Sequence, residues 1–485
     1  MPENVASNTA NPSTPVSLPD DIIAWIETAC AASVTAAARL PGGGRNEAWT
    51  VDVRGADGVA ASVFLRWDRS DPVATGDPWT VRREAGVYRA LSRTSLPVAR
   101  FIAVHPTKQA MLLSVVHGDG RFSRITDPGQ RSAVAKDFIG HLVALHAVDV
   151  HAIGLADGEV DVRDTVRRQL DEMESLVAFR GGVPEALLGL ALAWLRVNVP
   201  EYSGPAVLVQ GDTGPGNFMF DGERVTAIVD WELAHLGDPM DDLAWVSLRA
   251  VQEPFTELSE RFAEYEALSG TCVDLDRIRY YRVLAGAKIM VMSHRSGGAG
   301  TGSDLDAGRD PGAQLIFGHL HRRLLVDALA EVMQLEVEPP PPAPVGERAE
   351  WNGLYGVVLA QLRSVVAPRV TDAFALQRIK GLARVIKYLE ATDRLGDVHA
   401  SAELIDIEAA TGTRSATVRD ARHVFACAVR DGSLAPASAL AVIHRRVCRD
   451  GELLQAASGG LAGRHYDRLT RFSAGRGHGS PAAAK

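Results

Sequence analysis

The chain has 485 residues, 46% of them hydrophobic and 23% charged, which is ordinary for a globular protein and long enough for two or three domains. The formal net charge of −9 argues against a protein that binds nucleic acids or membrane surfaces nonspecifically. The four cysteines are scattered and fit no zinc or disulfide spacing, and no apolar run reaches the roughly 18 residues of a membrane span. The N-terminal sequence lacks the features of a signal peptide, so a cytoplasmic protein is expected.

The first part of the chain predicts a small β-rich unit. Residues 1–18 are polar and predict a disordered leader, and a helix is expected over 19–39. In 40–67, apolar and β-branched residues flank the turn signal RGADG, which predicts a β-hairpin. Two further short strands are expected within 100–118.

Between these strands, Asp77 and Pro78 are typical of a helix start, with Asp as the N-cap and Pro at the first helical position. On the helix that follows, one face carries Val81, Glu84, Tyr88 and Leu91. Glu84 therefore points the same way as the apolar residues, and it needs a partner because an unpaired buried carboxylate is costly.

The rest of the chain is predicted to be mainly helical. Helix-rich sequence runs from about 131 to about 335, interrupted by a strand–loop–strand segment at 205–230. The proline-rich segment 338–348 predicts a stiff linker and the clearest domain boundary. Beyond it, 349–471 indicates several helices without a strand, and 472–485 predicts a disordered tail.

The strand–loop–strand segment contains the most informative stretch, VLVQGDTGPGNFMF. It places Asp212 and Asn217 five residues apart in a glycine-rich loop, and a hairpin that turns at Asp221 and Gly222 brings Asp230 back beside them. Mg²⁺ prefers such hard oxygen ligands, and a carboxylate can orient a hydroxyl group and accept its proton. The alternatives are an ordinary solvated turn and, for Asp230, an acid that caps the next helix.

These residues resemble a known family. The wording QGDTGPGNFMF…AIVDWELAHLGDPMDDLAW is similar to the catalytic and metal-binding loops of aminoglycoside phosphotransferases and choline kinases, in particular the kinase-like domains linked to acyl-CoA dehydrogenases. The resemblance covers about 20–335. It implies an α+β, two-lobed protein-kinase-like fold with a small β-rich N-lobe (19–118) and a helical C-lobe (119–337). The helical sequence beyond the proline-rich segment predicts a separate all-α domain (349–471).

The resemblance also implies a nucleotide site in the N-lobe. The Gly-rich turn that would cover the phosphates is PGGGRN, with Gly42, Gly43, Gly44 and Asn46. No lysine precedes Lys108, so Arg66 takes the place of the phosphate-binding lysine, with Glu84 as its partner. The hinge that would meet the adenine edge corresponds to Ser114, Val115 and Val116.

By the same resemblance Asp212 is the catalytic base, while Asn217 and Asp230 hold Mg²⁺. Glu232 is a candidate ligand for a second Mg²⁺, with a solvated acid as the alternative. Nearby residues are assigned structural roles: Asp238 as a helix cap, Asp242 as a buried clamp of the loop, and His146 as a packing residue. Gln210 replaces the family's usual His and is expected to preserve the shape of the loop, since it can donate and accept hydrogen bonds.

The predicted function is ATP-dependent transfer of the γ-phosphoryl group to a hydroxyl group of a small molecule, with GTP not excluded as donor. The resemblance implies a hydroxyacyl-CoA or similar metabolite rather than an antibiotic, and an association with acyl-CoA dehydrogenase pathways. No nucleic-acid or membrane partner is expected, and the oligomeric state is left open. The alternative is a nucleotide-binding pseudokinase that recruits a partner through its helical C-terminal domain.

Overall fold

The fold has two lobes and an additional helical region. The computed structural model describes residues 18–40, 46–69, 76–179, 185–295, 310–341 and 352–471. Within these ranges, no helix combines the length and the apolar composition that crossing a bilayer requires.

The N-lobe is built around a five-stranded antiparallel sheet with the strand order β1-β2-β3-β5-β4. Its strands are β1 Ala32–Arg39, β2 Glu47–Gly55, β3 Ala60–Asp68, β4 Phe101–Val104 and β5 Gln109–Ser114. The β2–β3 hairpin confirms the turn predicted at RGADG. Helix α1 (Asp20–Cys30) covers one face of the sheet through Ile22 and Ile26, and helix α2 (Val81–Leu91) precedes β4.

The helix predicted over 19–39 is wrong in its second half. It ends at Cys30, because Ala31 adopts a left-handed conformation (φ 50°) and its amide bonds the carbonyl of Glu27. The alanine-rich residues that follow form β1, which pairs with β2 along its whole length. The hydrogen bonds of the sheet edge therefore override the helical preference of alanine.

The start predicted for α2 is also wrong by several residues. The helix begins at Val81, and its N-cap is Thr80, whose hydroxyl accepts a hydrogen bond from the amide of Arg83. Asp77 instead accepts one from the amide of Trp79, two residues on, so it stabilises the turn before the helix. Glu84 is buried, as predicted.

The C-lobe consists of helices around two short β-pairs. Its helices are α3 Pro128–His146, α4 Val162–Phe179, α5 Ala186–Val197, α6 Pro239–Gln252, α7 Leu258–Ser269, α8 Leu275–Arg295 and α9 Pro311–Val332. Its strands are β6 Val207–Val209, β7 Phe218–Asp221, β8 Arg224–Ile228 and β9 His235–Gly237. Strand β6 pairs with β9, and β7 with β8 across the predicted turn. The amide of Ile228 bonds the carbonyl of Pro97 and so joins this lobe to the N-lobe.

The described part of the C-terminal region is all-helical, as predicted. Its α-helices are α10 Asn352–Gln361, α11 Ala373–Thr411, α12 Val418–Arg430 and α13 Pro436–Ser458. A π-helical turn, Leu362–Val366, follows α10. Helix α12 packs on α5, and α13 packs on both α5 and α9, so that Phe425 and Leu440 share one continuous apolar core with Leu187 and Leu324. The sequence did not indicate this shared core.

After α13 the chain runs back over the C-lobe as residues 459–471, which begin with a 3-10 turn (Gly459–Leu461) and continue without regular secondary structure; we call this segment the C-terminal strap. Arg323 of α9 donates hydrogen bonds to three of its carbonyls. Arg464 of the strap in turn donates to the last two carbonyls of α6, at 3.2 and 2.9 Å. The guanidinium of Arg282 lies 4.2 Å from the ring centre of Tyr466. The strap therefore ties the C-terminal region to the end of α6.

Candidate active site

The loop between β6 and β7 can form only because two of its glycines allow close backbone packing. Gly211 and Gly214 have φ values of 82° and 142°. A Cβ atom would lie 2.5 Å from the carbonyl oxygen of Leu233 at the first position and 2.7 Å from Cβ of Arg249 at the second. The loop is thus pressed against the β8–β9 connection on one side and α6 on the other.

Asp242 of α6 fixes the start of this loop through hydrogen bonds. Its fully buried carboxylate accepts hydrogen bonds from the amides of Gln210 and Gly211, each at 2.9 Å, and from the hydroxyl of Thr213. Nε2 of His146 lies 3.0 Å from the same carboxylate. Burial opposes ionisation of Asp242. Hydrogen bonds from His146, Thr213 and the amide of Gly211, together with the charge of His146, nevertheless keep the pKa of Asp242 below its usual range. The expected clamp and the packing role of His146 are confirmed.

Asp212 lies in the interior of the loop, with its carboxylate between an amide and a guanidinium. Nδ2 of Asn217 donates to its Oδ2 and to its backbone carbonyl, both at 2.7 Å. Nε of Arg249 lies 3.3 Å from its Oδ1. Burial raises the pKa of Asp212 to about 7; Arg249 and Asn217 oppose the rise, and Asp230 adds to it. The carboxylate is therefore poised to exchange a proton near neutral pH.

Asp230 reaches the same cleft from the end of the β7–β8 hairpin. Its backbone is left-handed (φ 65°), which is rare for a residue other than glycine and requires support from its surroundings. Nε2 of Gln210 supplies that support by donating to the carbonyls of Val229 and Asp230, each at 2.9 Å. The amide of Val229 bonds the carbonyl of Asn217. Gln210 thus preserves the loop geometry, as expected.

Arg66 of β3 contacts acidic residues of both lobes. Its Nε lies 2.9 Å from Oε2 of Glu84, which confirms the predicted pair. Its Nη2 lies 2.9 Å from Oδ1 of Asp230 and 2.7 Å from Oε2 of Glu232. Asn46 also donates to Glu232, at 3.1 Å. One guanidinium therefore joins the N-lobe to two acids that the sequence predicted as metal ligands.

The described part of the cleft holds more acidic than basic side chains. Four carboxylates face two guanidinium groups, and these six residues are Glu84, Asp212, Asp230, Glu232, Arg66 and Arg249. Burial raises the pKa of Glu84; Arg66 opposes this, while Asp230 and Glu232 add to it. Such a site favours an additional cation.

The donor set fits Mg²⁺ better than a metal held by protein ligands alone. Among the described residues, no group of three or more His, Cys, Asp or Glu side chains is arranged to hold a metal ion. Mg²⁺ usually takes only one or two carboxylates and completes its shell with phosphate oxygens and water. The carboxylate of Asp230 and the carboxamide oxygen of Asn217 meet that requirement.

The nucleotide side of the site is described only in part. Gly42, Gly43 and Gly44 lie outside the described residues. The amide of Ser114 donates to the carbonyl of Arg100, and the hydroxyl of Ser114 accepts from the amide of Arg100. Both groups of Ser114 are therefore used in hydrogen bonds at the end of the N-lobe sheet. Val115 and Val116 follow directly after β5, where a hinge is expected.

Arg249 is the residue that sequence reasoning missed. It contacts the predicted base directly, yet it lies 37 positions further along the chain. A signal was available: Arg249 follows Asp242 by seven residues, or two helical turns, and so occupies the same face of α6 as the clamp.

A β-rich lobe stacked on a helical lobe, with an acid–amide–acid cluster between them, defines a two-lobed protein-kinase-like fold. Residues 38–281 match the model of the phosphotransferase enzyme family, and the chain belongs to this family. The match confirms the predicted resemblance and the prediction of a phosphotransferase.

Two curated relatives illustrate the breadth of the similarity. Acyl-CoA dehydrogenase family member 11 of Rattus norvegicus is 27% identical over 183 residues, which cover 35% of this chain and 23% of that protein. The aminoglycoside 3'-phosphotransferase of Niallia circulans is 26% identical over 195 residues, which cover 38% of this chain and 71% of that protein. The chain therefore spans between 11% and 23% of the length of its relatives named after acyl-CoA dehydrogenases.

Solved structures of the same class are more distant in sequence. A putative aminoglycoside phosphotransferase of Ralstonia eutropha is 20% identical, with a TM-score of 0.45, and the match covers 59% of this chain and 92% of that one. A thermostable mutant of aminoglycoside phosphotransferase APH(4)-Ia, solved with ADP and hygromycin B, is 18% identical, with a TM-score of 0.41 and coverage of 58% and 100%.

Proposed function

We propose that the protein is a kinase that transfers the γ-phosphoryl group of ATP to a hydroxyl group of a small molecule. The observation that carries the proposal is the contact network around Asp212, in which a partly buried carboxylate, its pKa raised to about 7, is held by Asn217 and Arg249. A general base works best when its pKa lies near the working pH. GTP remains an alternative phosphoryl donor.

In this mechanism the oxygen of the acceptor hydroxyl attacks the γ-phosphorus in line, and the bond from that phosphorus to the bridging oxygen of the nucleotide breaks. Asp212 orients the hydroxyl and takes its proton. Arg66, fixed by Glu84, binds phosphate oxygens. Asn217 and Asp230 would hold Mg²⁺, with Glu232 as a further ligand, and the bound ion would neutralise the charge of the phosphates.

For the acceptor, we propose a hydroxyacyl-CoA or a related metabolite. The support is the similarity to relatives named after acyl-CoA dehydrogenases, which also suggests a pathway association. Hygromycin B is bound in one related structure, so an antibiotic acceptor is the competing possibility.

The role of Asp230 provides a test of the proposal. Wild-type protein should show a thermal shift with ATP that increases when Mg²⁺ is added, and it should consume ATP in the presence of a suitable acceptor. We expect Asp230→Asn to lose the Mg²⁺-dependent part of the shift and at least ~10²-fold of the activity, because a metal-binding carboxylate is removed. Differential scanning fluorimetry and an ATP-consumption assay over a panel of hydroxylated acceptors measure both effects.

The matched control is Asp221→Asn, which changes an exposed acid in the turn of the same hairpin. It should behave like the wild type. Equal Mg²⁺ dependence in the two variants would contradict the metal role of Asp230. Nucleotide binding without ATP consumption by the wild type, over the whole panel, would favour a nucleotide-binding scaffold instead.

Arg249 gives a second prediction, which concerns pH. Besides burial, four residues act on the pKa of Asp212: Asp230 and Glu232 raise it, whereas Arg249 and, more weakly, Asn217 lower it. Since the base must be ionised, activity should fall as the pH drops through about 7. Arg249→Gln should move this acidic limb of kcat/KM upward by about one pH unit or more. Arg249→Lys keeps the charge and should shift it less; identical pH profiles for all three proteins would refute the coupling.

A further inference from the structure

A polar cleft lies beside the catalytic loop, where the C-lobe meets the C-terminal region. Its volume is about 410 Å³, within the range of small-molecule sites. The C-lobe contributes Ser123 and the end of α6, with Gln252 and Glu253, to its wall. The C-terminal region contributes Arg384 of α11 and the strap, with Arg464.

Arg249 links the wall of this cleft to the proposed base, Asp212. Nη1 of Arg249 donates to Oε1 of Gln252 at 3.1 Å, and Nε of the same Arg249 lies 3.3 Å from Asp212. Glu253 also lies against the loop, since a Cβ atom on Gly216 would be 3.6 Å from its Oε2. A molecule bound in the cleft would thus lie next to the residues that support Asp212.

The two arginines of the cleft differ in how they are held. Arg464 donates to the carbonyls that end α6, which fixes its position. Arg384 is exposed, and within the described ranges neither it nor Arg464 forms an ion pair with a carboxylate. Two arginines against one acid, Glu253, give the lining of the cleft a positive balance of charge. Glu253 is the acid of the lining, and its Oε1 already accepts a hydrogen bond from the amide of Ser123, at 2.7 Å.

We propose that this cleft binds the acceptor and that Arg384 and Arg464 recognise an anionic group on it, a carboxylate or a phosphate. Arginine suits this task because its planar guanidinium can donate two parallel hydrogen bonds to either group. The proposal rests on the proposed kinase function and gives the C-terminal region a part in acceptor selection. An acceptor that carries a hydroxyl and an anionic group would have its charge held by the C-terminal region and its hydroxyl directed toward the catalytic loop.

The test measures binding of three small probes that share a three-carbon skeleton with hydroxyl groups: glycerol 3-phosphate, glycerate and glycerol. Isothermal titration calorimetry is carried out on the full chain saturated with Mg²⁺ and ADP, so that the nucleotide site is blocked. We expect at least one anionic probe to bind and glycerol not to bind at the same concentration. The preference between the phosphate and the carboxylate identifies the anionic group. Failure of both anionic probes to bind the wild type overturns the proposal.

Arg384→Gln should weaken binding of the preferred anion about tenfold, because hydrogen bonds to charged groups are lost, and Arg384→Lys should restore part of it. The matched control is Arg394→Gln, an exposed arginine on the same helix and outside the cleft, which should bind as the wild type does. Equal affinity of the Arg384→Gln and Arg394→Gln variants overturns the proposal. The binding measurement does not require phosphoryl transfer. An absence of ATP consumption would therefore refute the kinase function but would not change the outcome of the binding test.

Discussion

Replacing Asp212 with asparagine is expected to lower phosphoryl transfer by about 10²- to 10⁴-fold, the usual contribution of a general base. Asparagine has nearly the same shape as aspartate but cannot take a proton from the acceptor. The nucleotide-induced thermal shift should remain, because Arg66, Asp230 and Asn217 are unchanged. Steady-state kinetics with the best acceptor and fluorimetry with Mg²⁺ and ATP measure the two effects.

The stability of this variant separates catalysis from folding. Burial raises the pKa of Asp212 to about 7, so the folded protein holds the proton more tightly than the unfolded chain. The stability linked to this group is therefore present below its unfolded pKa and is lost as the pH rises through about 7. The asparagine of Asp212→Asn cannot ionise, so this variant does not lose stability in that way. It should be at least as thermally stable as the wild type at pH 8. An inactive variant with a clearly lower Tm at pH 8 would contradict the interpretation.

Replacing Asp242 with alanine should destabilise the protein by about 3–5 kcal/mol, since it removes a fully buried acceptor and leaves its donors unpaired. The amides of Gln210 and Gly211 lose their acceptor, as do Thr213 and His146. Activity should fall together with stability, because the same contacts fix the start of the catalytic loop. Urea unfolding measures the change in the free energy of unfolding.

The control for this prediction is Asp221→Ala, at an exposed turn position of the neighbouring hairpin. It should change the free energy of unfolding by no more than about 0.5 kcal/mol, as is usual for surface substitutions. If the Asp242→Ala and Asp221→Ala variants unfold at the same urea concentration, Asp242 is not the clamp of the loop.

The sequence predicted the residues of the central cluster well because their spacing is local. The loop from Gln210 to Asn217 and the hairpin that returns Asp230 lie within one short segment, so turn signals in the sequence indicate that they come together. Glu84 could be predicted to face inward from helical periodicity. Its pairing with Arg66 followed from the resemblance and is confirmed by a distance of 2.9 Å.

Features that depend on distant packing could not be predicted in the same way. Residues 32–39 look helical by composition, and only pairing with β2 makes them a strand. Arg249 could be placed on a face of α6 but not assigned to Asp212, since the packing of α6 under the loop is a tertiary contact. The ends of secondary-structure elements are also hard to predict: the start of α2 depended on a choice between two possible capping residues three positions apart, Asp77 and Thr80.

The strap has a consequence for how perturbations spread through the molecule. Composition divides the chain at its proline-rich segment, but the strap and the shared apolar core pack the parts on either side of that segment against each other. Loosening α13 or the strap would therefore release the end of α6, and with it the arginine beside Asp212. A substitution far from the cleft, in a region without any catalytic motif, can in this way change the proton affinity of the proposed base.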